Sequence, residues 1–420
     1  MSAAGGGAGR RRVVITGMGV VSPAGTGLSA FSSALFSGRS AVGPITLFDT
    51  NGLASRVAAE VRDFDPAPHM AAGDERRVSR ASPMGVAAAR EALRNAGIDL
   101  DASTRRALGI VIGSGAGGIE FGEKQYRLFF SGEQRQINPY AISTSFVGSL
   151  SSDISIALGI TGFSHVVSTG CTSSTDAIGY ATQSIRSGVC DAVLTGGVEA
   201  CITPALMAGF CRMKVVSTAF NESPGRASRP FDRERDGFVI GEGAWMFVLE
   251  ERDRARARGA AVLAEVAGWG ATCDAYHRVA LDPEGEEPAR AIEIALAAAS
   301  CPPEAIDYVN LHGTATRQND LVEAKVIRRA FARRKGPPPA SATKSIFGHP
   351  QGACGALGVA ASVLAMRDGL LPPTVNLDHP DPECEMDHVA NEPRRHDVEW
   401  AVCNCIGFGS KNSALVLRRS

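Results

Sequence analysis

Short apolar runs alternate with segments of helical periodicity along most of the chain. Strand-like runs occupy residues 13–19, 108–113 and 245–250, and a helical pattern follows the apolar run at residues 165–167. Alternation of strands with helices is typical of α/β units with mostly parallel sheets. The sequence therefore predicts an α/β fold.

The pattern occurs twice along the chain. Two similar halves are predicted because four features recur in the same order: residues 13–19 and 262–268, residues 108–113 and 306–311, the turn and helix at Cys171 and at His349, and residues 245–250 and 413–418. The boundary between the two halves falls in the charged stretch 252–261, which predicts an N-terminal half over 11–258 and a C-terminal half over 259–420. Residues 1–10 are rich in glycine and alanine and are predicted to be a disordered tail.

Composition and charge narrow the function classes. Of 420 residues, 44% are hydrophobic and 21% are charged, with a formal net charge of −1, which gives no general argument for binding nucleic acid or a membrane surface. The ten cysteines show no zinc or disulfide spacing, which favours reduced thiols and a cytoplasmic location. The N-terminus lacks the apolar core of a secretory signal.

Two further segments have an unusual charge pattern. Residues 345–366 carry no formal charge, but their glycines and Pro350 argue against a membrane span and predict a buried helix. Residues 328–335 are rich in arginine and lysine. That run indicates either a solvated helix face or a docking patch for an acidic partner.

Cys171 is the first candidate for chemistry. It lies in the stretch Ser-Thr-Gly-Cys-Thr-Ser-Ser, residues 168–174, between an apolar run and a helical pattern. The pattern predicts a thiol at a helix N-terminus, where unpaired N–H groups and the helix dipole favour a thiolate. Such a position lowers a cysteine pKa from about 8.5 to roughly 3.5–7.5. We expect Cys171 to be a nucleophile; a small buried apolar side chain is the alternative.

Two histidines add to this candidate site. His312 follows a predicted strand and enters a glycine-containing loop, the usual place for chemistry in open α/β sheets. His349 lies at the start of the uncharged helix, and Asp320 and Glu323 are one helical turn apart downstream of His312. Each histidine has a purely structural alternative. A zinc site formed by Cys171, His312 and His349 is a further alternative that their spacing does not support.

Five ordered motifs carry a resemblance to a known family. They occupy residues 168–174, 229–238, 312–316, 344–353 and 407–409. On these motifs the chain resembles a β-ketoacyl–acyl-carrier-protein synthase, the elongating ketosynthase of fatty-acid and type II polyketide assembly, over nearly its whole length. The resemblance implies the thiolase fold, with two pseudo-symmetric halves in stacked α/β/α/β/α layers, which agrees with the internal repeat.

The resemblance also implies a decarboxylative Claisen condensation. Cys171 takes an acyl group from a carrier-protein thioester, and a malonyl thioester then loses carbon dioxide to give an enolate. His312 and His349 are expected to donate N–H bonds to the enolate oxygen. Backbone N–H groups of Cys171 and Phe408 are expected to form the oxyanion hole, and Phe408 to gate entry of the second substrate.

Supporting and pocket residues follow from the same resemblance. Lys344 and Glu323 match an ion pair that orients the histidines, Asp320 is placed beside them, and no metal or cofactor is implied. Ala116, Ala141 and Phe210 are predicted to line the acyl pocket. Alanines at the first two positions predict a roomier tunnel than that of a standard fatty-acid synthase component. The chain departs from the commonest family pattern at Gly170, Ala315 and Ser410-Lys411-Asn412.

The expected partners are acyl-carrier protein, with its phosphopantetheine-linked substrates, and a second subunit. That subunit is either a second copy of the chain or a partner resembling a chain-length factor; no nucleic acid and no membrane is expected. Three rival functions remain: a non-catalytic chain-length factor, a thiolase relative that uses coenzyme A, and a cysteine hydrolase. Retention of Cys171, His312 and His349 argues against the first. Cys403 and Cys405 precede the loop at 407–409 but do not lie in it, which argues against the second.

Overall fold

The computed structural model describes residues 11–409 and 411–420; the predicted disordered tail, residues 1–10, and Ser410 lie outside the described residues. The strands are β1 (Val13–Ser22), β2 (Gly25–Thr26), β3 (Gly43–Pro44), β4 (Val57–Ala58), β5 (Gly109–Gly113), β6 (Ser164–Val167), β7 (Ala192–Glu199), β8 (Gly243–Glu251), β9 (Ala264–Cys273), β10 (Tyr308–Asn310), β11 (Ala340–Ser341), β12 (Leu370–Leu371), β13 (Arg394–Arg395), β14 (Trp400–Gly407) and β15 (Lys411–Arg418). The α-helices are α1 (Leu28–Ser37), α2 (Ala81–Ala96), α3 (Ala102–Ala107), α4 (Ile119–Phe130), α5 (Ala141–Ser145), α6 (Ser149–Leu158), α7 (Ser173–Arg186), α8 (Pro204–Met213), α9 (Arg252–Ala257), α10 (Glu286–Ala299), α11 (Arg317–Ala330), α12 (Lys344–Phe347) and α13 (Cys354–Asp368).

The strand order confirms the predicted internal repeat. Strands run in the order β11-β10-β14-β15-β9-β1-β8-β7-β5-β6, with β2 beside β1. In the first half β5 is parallel to β6 and β7, and β8 is antiparallel to β7 and β1. The second half repeats these relations with β10, β11 and β14, and with β15 and β9. The two halves meet where β1 pairs with β9 at Val14–Glu265 and Ile15–Ala264.

Helices form three layers around the strands. Helices α7 and α13 contact each other and strands of both halves, so they form the central layer. Helix α2 packs against β1 and β8 on one outer face, and α10 packs against β9 and β15 on the other. Each of these three layers has its own buried apolar core. The stacked α/β/α/β/α arrangement that the sequence implies is therefore present.

The central layer requires small residues because its helices approach closely. A Cβ atom on Gly355 of α13 would lie 2.0 Å from Thr175 Oγ1 and 2.9 Å from the Thr175 backbone nitrogen of α7. The prediction of a buried helix within residues 345–366 is confirmed, since α13 is buried from Cys354 to Met366. Among the helices in the described ranges, none has the length and apolar character needed to cross a bilayer.

The basic run at residues 328–335 is largely engaged within the chain. Arg328 donates to the carbonyl oxygens of Glu383 and Glu385, and Arg329 pairs with Glu286 at 2.9 Å. Arg334 also donates to backbone carbonyl oxygens. These contacts favour a structural and solvated helix face over a docking patch.

Candidate active site

Cys171 lies in a tight turn between β6 and α7, as the sequence predicts. Gly170 occupies the left-handed region with a φ of 71°, a conformation that glycine adopts without steric cost. Ser173 closes the turn, because its hydroxyl donates to the Gly170 carbonyl oxygen at 2.5 Å and accepts from the Thr169 N–H at 2.9 Å. The thiol therefore stands two residues before the first helical residue of α7, fixed by its neighbours' hydrogen bonds.

The predicted catalytic side chains share one cavity. A cavity of about 400 Å³ is lined by Cys171, His312, His349 and Phe408, so residues far apart in sequence meet at one place. Lys214 and Arg317 are exposed and also line it. A single concave site thus combines a thiol, two imidazoles and a mouth with two cations.

The two imidazoles face each other across this cavity. Their ring centroids are 5.3 Å apart with an interplanar angle of 85°. His312 follows β10, and His349 lies in the loop between α12 and α13. The backbone of His349 is anchored by two hydrogen bonds, from its N–H to the Val239 carbonyl oxygen at 2.7 Å and from the Gly241 N–H to its own carbonyl oxygen at 2.9 Å.

Lys344 fixes the orientation of His312. Its ammonium donates to the His312 carbonyl oxygen at 2.5 Å and lies 3.3 Å from His312 Nδ1. An ammonium group can only donate, so Nδ1 must be the accepting nitrogen of a neutral ring. The proton of the neutral ring is then on Nε2, which makes His312 a hydrogen-bond donor from that atom.

The ion pair implied between Lys344 and Glu323 is wrong for this chain. Among the described residues, no salt bridge joins the two groups. Glu323 instead accepts from the backbone N–H groups of His312 and Gly313 at 2.6 and 2.7 Å, and from the Asn404 amide at 2.7 Å. It does not pair with Arg328 either. Glu323 and Lys344 both converge on His312, but through its backbone and ring rather than through each other.

Asp320 supports the same loop from a different side. Its carboxylate accepts from the Phe231 and Thr314 N–H groups at 2.8 and 3.1 Å and lies 3.5 Å from the Arg235 guanidinium. The group is fully buried. Asp320 therefore connects the loop after His312 to the motif at residues 229–238 and does not line the cavity.

Burial sets the protonation states of the site. It raises the pKa of Cys171 to about 12, and the Lys344 ammonium only partly opposes this shift. The predicted lowering of the Cys171 pKa is therefore wrong, because the side chain is only 5% exposed and its burial outweighs the Lys344 charge and the Phe408 N–H, which both favour the thiolate. Burial, followed by the Lys344 charge, lowers the pKa of His312 to about 3, and burial also lowers the pKa of His349. At neutral pH the site holds a thiol and two uncharged imidazoles.

The predicted pocket residues fall into two groups. Ala116, Phe210 and Phe408 pack against one apolar cluster that includes Phe238, and the Phe210 and Phe238 rings are 5.2 Å apart. Ala141 begins α5, in a segment whose neighbours Tyr140 and Ile142 are exposed. Within this chain, Ala141 is not brought to the cavity or to that cluster.

Several residues of the site were missed by sequence reasoning. Glu199 is fully buried and accepts from the N–H groups of Gly115, Ala116 and Gly352. It therefore connects the loop that contains Ala116 to the segment between His349 and α13. Cys354 and Cys405 contact Cys171. Their only sequence signal is proximity: Cys354 follows His349 by five positions, and Cys405 precedes Phe408 by three.

Metal-binding geometry is partly met at this site. The donor atoms of Cys171, His312 and His349 lie within 4.8 Å of one another, as do those of His312, Cys354 and Cys405. Lys344 donates to His312 beside both groups, and its positive charge disfavours a second cation there. The zinc alternative is therefore not favoured by the charges around it.

A buried thiol facing two neutral imidazoles, on a fold of two similar halves, defines an acyl-transferring member of the thiolase-type proteins. Residues 10–255 match the family model described as "Beta-ketoacyl synthase, N-terminal domain", and residues 263–378 match its C-terminal counterpart. The chain belongs to the β-ketoacyl synthase family.

Similar proteins come from fatty-acid and polyketide assembly. The chain is 40% identical to the 3-oxoacyl-(acyl-carrier-protein) synthase 2 of Coxiella burnetii, over 98% of this chain and 99% of that one. It is 41% identical to the tetracenomycin polyketide synthase ketoacyl synthase alpha subunit of Streptomyces glaucescens, over 97% of each chain. The solved structure described as the ishigamide ketosynthase/chain length factor superposes with a TM-score of 0.92 at 36% identity, covering 98% of this chain and 100% of that one.

Proposed function

We propose that this chain is an elongating ketosynthase that joins an acyl group held on Cys171 to the two-carbon unit of malonyl-acyl-carrier protein. The observation that carries the proposal is the shared cavity of Cys171, His312 and His349. A nucleophile for the acyl group and two donors for an enolate oxygen are the groups that a decarboxylative condensation needs in one place.

Acyl loading begins from the neutral thiol. A neutral imidazole in the cavity accepts the Cys171 proton as the sulfur attacks the acyl thioester, and the carrier thiol leaves with a proton. The Phe408 N–H hydrogen-bonds the Cys171 sulfur, so it is placed to bind an oxyanion formed at the acyl carbon. The Cys171 N–H is the second proposed donor.

Condensation then uses both histidines. The malonyl carboxylate leaves as carbon dioxide, and its bonding electrons form an enolate whose oxygen accepts N–H bonds from His312 Nε2 and from His349. The enolate carbon attacks the carbonyl of acyl-Cys171, which forms the carbon–carbon bond and breaks the carbon–sulfur bond. Lys344 acts through His312, because it fixes the nitrogen that carries the proton.

The proposed partners fit the surface of the chain. Lys214 and Arg317 at the cavity mouth suit the phosphate of a phosphopantetheine arm and an acidic carrier protein. Strand β6 lies at one end of the strand order and packs against α6, and Phe146, three residues before α6, is 64% exposed. We place the second subunit on that edge, either a second copy or a partner resembling a chain-length factor. A cytoplasmic location and the division into halves at 258/259 are part of the same proposal.

The acyl pocket is proposed to extend from Cys171 past Phe408 to the cluster holding Ala116 and Phe210. A larger side chain at position 116 would enter this cluster and shorten the space for an acyl chain. Ala141 would contribute from α5, on the exposed segment that faces the second subunit. The small side chains at positions 116 and 141 suit a long or rigid polyketide chain.

The proposal is tested by loading the full chain from acyl-carrier protein and weighing it intact. Wild-type protein is expected to gain one acyl mass, and Cys171→Ala to gain none while keeping the wild-type melting temperature. Cys273→Ala removes an exposed thiol and is the matched control, which should load as the wild type does. An acyl adduct on Cys171→Ala, or none on the wild type across several chain lengths, contradicts the proposal.

A further inference from the structure

Two additional thiols contact the nucleophile without lining the cavity. Cys171, Cys354 and Cys405 form one buried cluster, in which Cys354 is the first residue of α13 and Cys405 belongs to β14. The sulfur atoms of Cys354 and Cys405 are 3.5 Å apart, although the residues are 51 positions apart in sequence. Their exposed fractions are 3% and 1%, so both are held in place by the surrounding core.

These two thiols support the backbone of the nucleophile. Cys354 and Cys405 donate to the carbonyl oxygen of Cys171 at 3.2 and 3.1 Å. The sulfur of Cys405 is also 3.5 Å from His312 Nδ1, and the Cys354 thiol is within hydrogen-bonding reach of both imidazoles. A covalent change at this pair therefore acts on the nucleophile and on both histidines at once.

The geometry favours joining the two sulfurs to each other. A disulfide has a sulfur–sulfur bond of about 2.05 Å, so these atoms need to close by about 1.5 Å. The bond places no new charge in the core, whereas a metal ion bound by the same thiols would add a cation beside Lys344. We propose that Cys354 and Cys405 form a covalent modification site, a dithiol that a peroxide oxidises to a disulfide.

The chemistry balances with hydrogen peroxide as the oxidant. One thiol loses its proton, and its sulfur attacks a peroxide oxygen to give a sulfenic acid and a hydroxide ion, which takes up that proton and leaves as one molecule of water. The second thiol then attacks the sulfenic sulfur, the sulfur–sulfur bond forms, and a second molecule of water leaves. The two thiols lose two electrons and two protons in total, and a dithiol reductant reverses the reaction by thiol–disulfide exchange.

Oxidation is expected to slow acyl loading. The disulfide has no S–H groups, so the Cys171 carbonyl oxygen loses both thiol donors and the turn that carries the nucleophile relaxes. Displacing a reacting group by about 1 Å can cost on the order of 100-fold in rate, and we expect a loss of at least about 10-fold here. This consequence rests on the proposed function, whereas the disulfide itself does not.

The test treats the full chain with graded hydrogen peroxide, blocks remaining thiols with an alkylating reagent under denaturing conditions, and maps the peptides by mass spectrometry. We expect a cross-linked peptide pair containing Cys354 and Cys405. At the peroxide concentrations that form this pair, Cys171 should be recovered in alkylated form, which shows that its thiol was not oxidised. Dithiothreitol should remove the cross-link. Acyl loading should fall as the cross-link forms and recover when it is reduced.

Matched variants separate this site from the other thiols. Cys405→Ser and Cys354→Ala each remove one sulfur, and either should abolish the cross-link and the part of the loading loss that dithiothreitol restores. Each variant is compared with its own reduced form, and thermal melting confirms folding. Cys273→Ala keeps the pair and should behave as the wild type.

Two results would overturn the proposal: a cross-link that involves Cys171 in place of either thiol, or irreversible oxidation of Cys171 with no Cys354–Cys405 cross-link. A Cys354–Cys405 cross-link that leaves loading unchanged would overturn the expected effect on acyl loading. Failure of the proposed function looks different. In that case the chain loads no acyl group even when fully reduced, while the cross-link is still detected by its mass.

Discussion

At the residue scale, the site depends on a buried thiol and two buried imidazoles that are all uncharged at neutral pH. The sequence predicted the three residues, because each follows a strand or precedes a helix in a recognisable motif. It did not predict their charge, because burial is a property of the folded chain. Desolvation of Cys171 outweighs the Lys344 charge and the Phe408 N–H, the two contacts that favour its thiolate.

The raised pKa of Cys171 gives the first prediction. Well below its pKa, the thiolate fraction rises about tenfold per pH unit, so alkylation of Cys171 by iodoacetamide should increase continuously from pH 6 to pH 9. The rate is measured by mass spectrometry of the Cys171 peptide, with exposed Cys273 as internal reference. An alkylation rate that stops rising below pH 8 would contradict the raised pKa, because it would show that Cys171 is already a thiolate at that pH.

The position of Lys344 gives the second prediction. Lys344→Met should lower malonyl decarboxylation by about 100-fold, because one hydrogen-bond donor to a developing oxyanion contributes about 2.7–4 kcal/mol and Lys344 sets that donor on His312. Alkylation of Cys171 in the same variant should change less than decarboxylation. Lys325→Met alters an exposed lysine and is the control. Equal losses in both assays would mean that Lys344 has a general structural role.

At the element scale, two helices of the central layer determine how the site is built. Helix α7 presents Cys171 and α13 follows His349, and the two helices cross where Gly355 meets Thr175. The internal repeat in the sequence predicted this pairing, and the symmetric strand order confirms it. The ion pair between Lys344 and Glu323 was wrong because motif spacing does not reveal that Glu323 bonds backbone N–H groups instead.

Close packing at Gly355 gives the third prediction. Gly355→Ala would place a Cβ 2.0 Å from Thr175 Oγ1, so the free energy of unfolding should fall by about 1–3 kcal/mol. Gly209→Ala is the matched control, since a Cβ at that position would have no atom within 4 Å and alanine favours a helix by up to about 1 kcal/mol. Urea unfolding measures both. Equal stability of Gly355→Ala and the wild type would contradict the close approach of α7 and α13 at Gly355 and Thr175.

The pocket cluster gives the fourth prediction. Ala116→Phe should shorten the longest acyl group that loads onto Cys171, because position 116 packs against the same apolar cluster as Phe210 and Phe408. Loading is compared across a series of acyl-carrier protein thioesters of increasing length. An unchanged length distribution would remove position 116 from the pocket.

At the scale of the whole molecule, the edge at β6 is the proposed contact with a second subunit. β6 ends the strand order, and an edge strand has unpaired N–H and C=O groups. Helix α6 packs against β6, and Ile156 of α6 is 74% exposed, while Ile142 and Phe146, which precede α6 in the chain, are 70% and 64% exposed. Sequence patterns alone could not predict this surface, because apolar residues of α5 and α6 resemble core positions until the fold leaves them uncovered.

The exposed edge gives the fifth prediction. Phe146→Glu should lower the fraction of chains in the assembly, because a charge would be buried in an apolar contact. Light scattering after size-exclusion chromatography measures that fraction, with or without the proposed second subunit. Val189→Glu changes another apolar side chain, 69% exposed, and should leave the assembly intact. The same loss in both variants would place the contact elsewhere.

In the proposed reaction, the Cys171 thiol holds an acyl group in one cavity until an enolate attacks it. The most direct test loads Cys171 with an acyl group, adds malonyl-acyl-carrier protein, and follows the Cys171 peptide and the carrier protein by mass spectrometry. We predict that the acyl adduct disappears only when the malonyl substrate is added, and that it reappears on the carrier protein extended by two carbons. Release of the acyl group as a free acid, with no extended product, would contradict this mechanism.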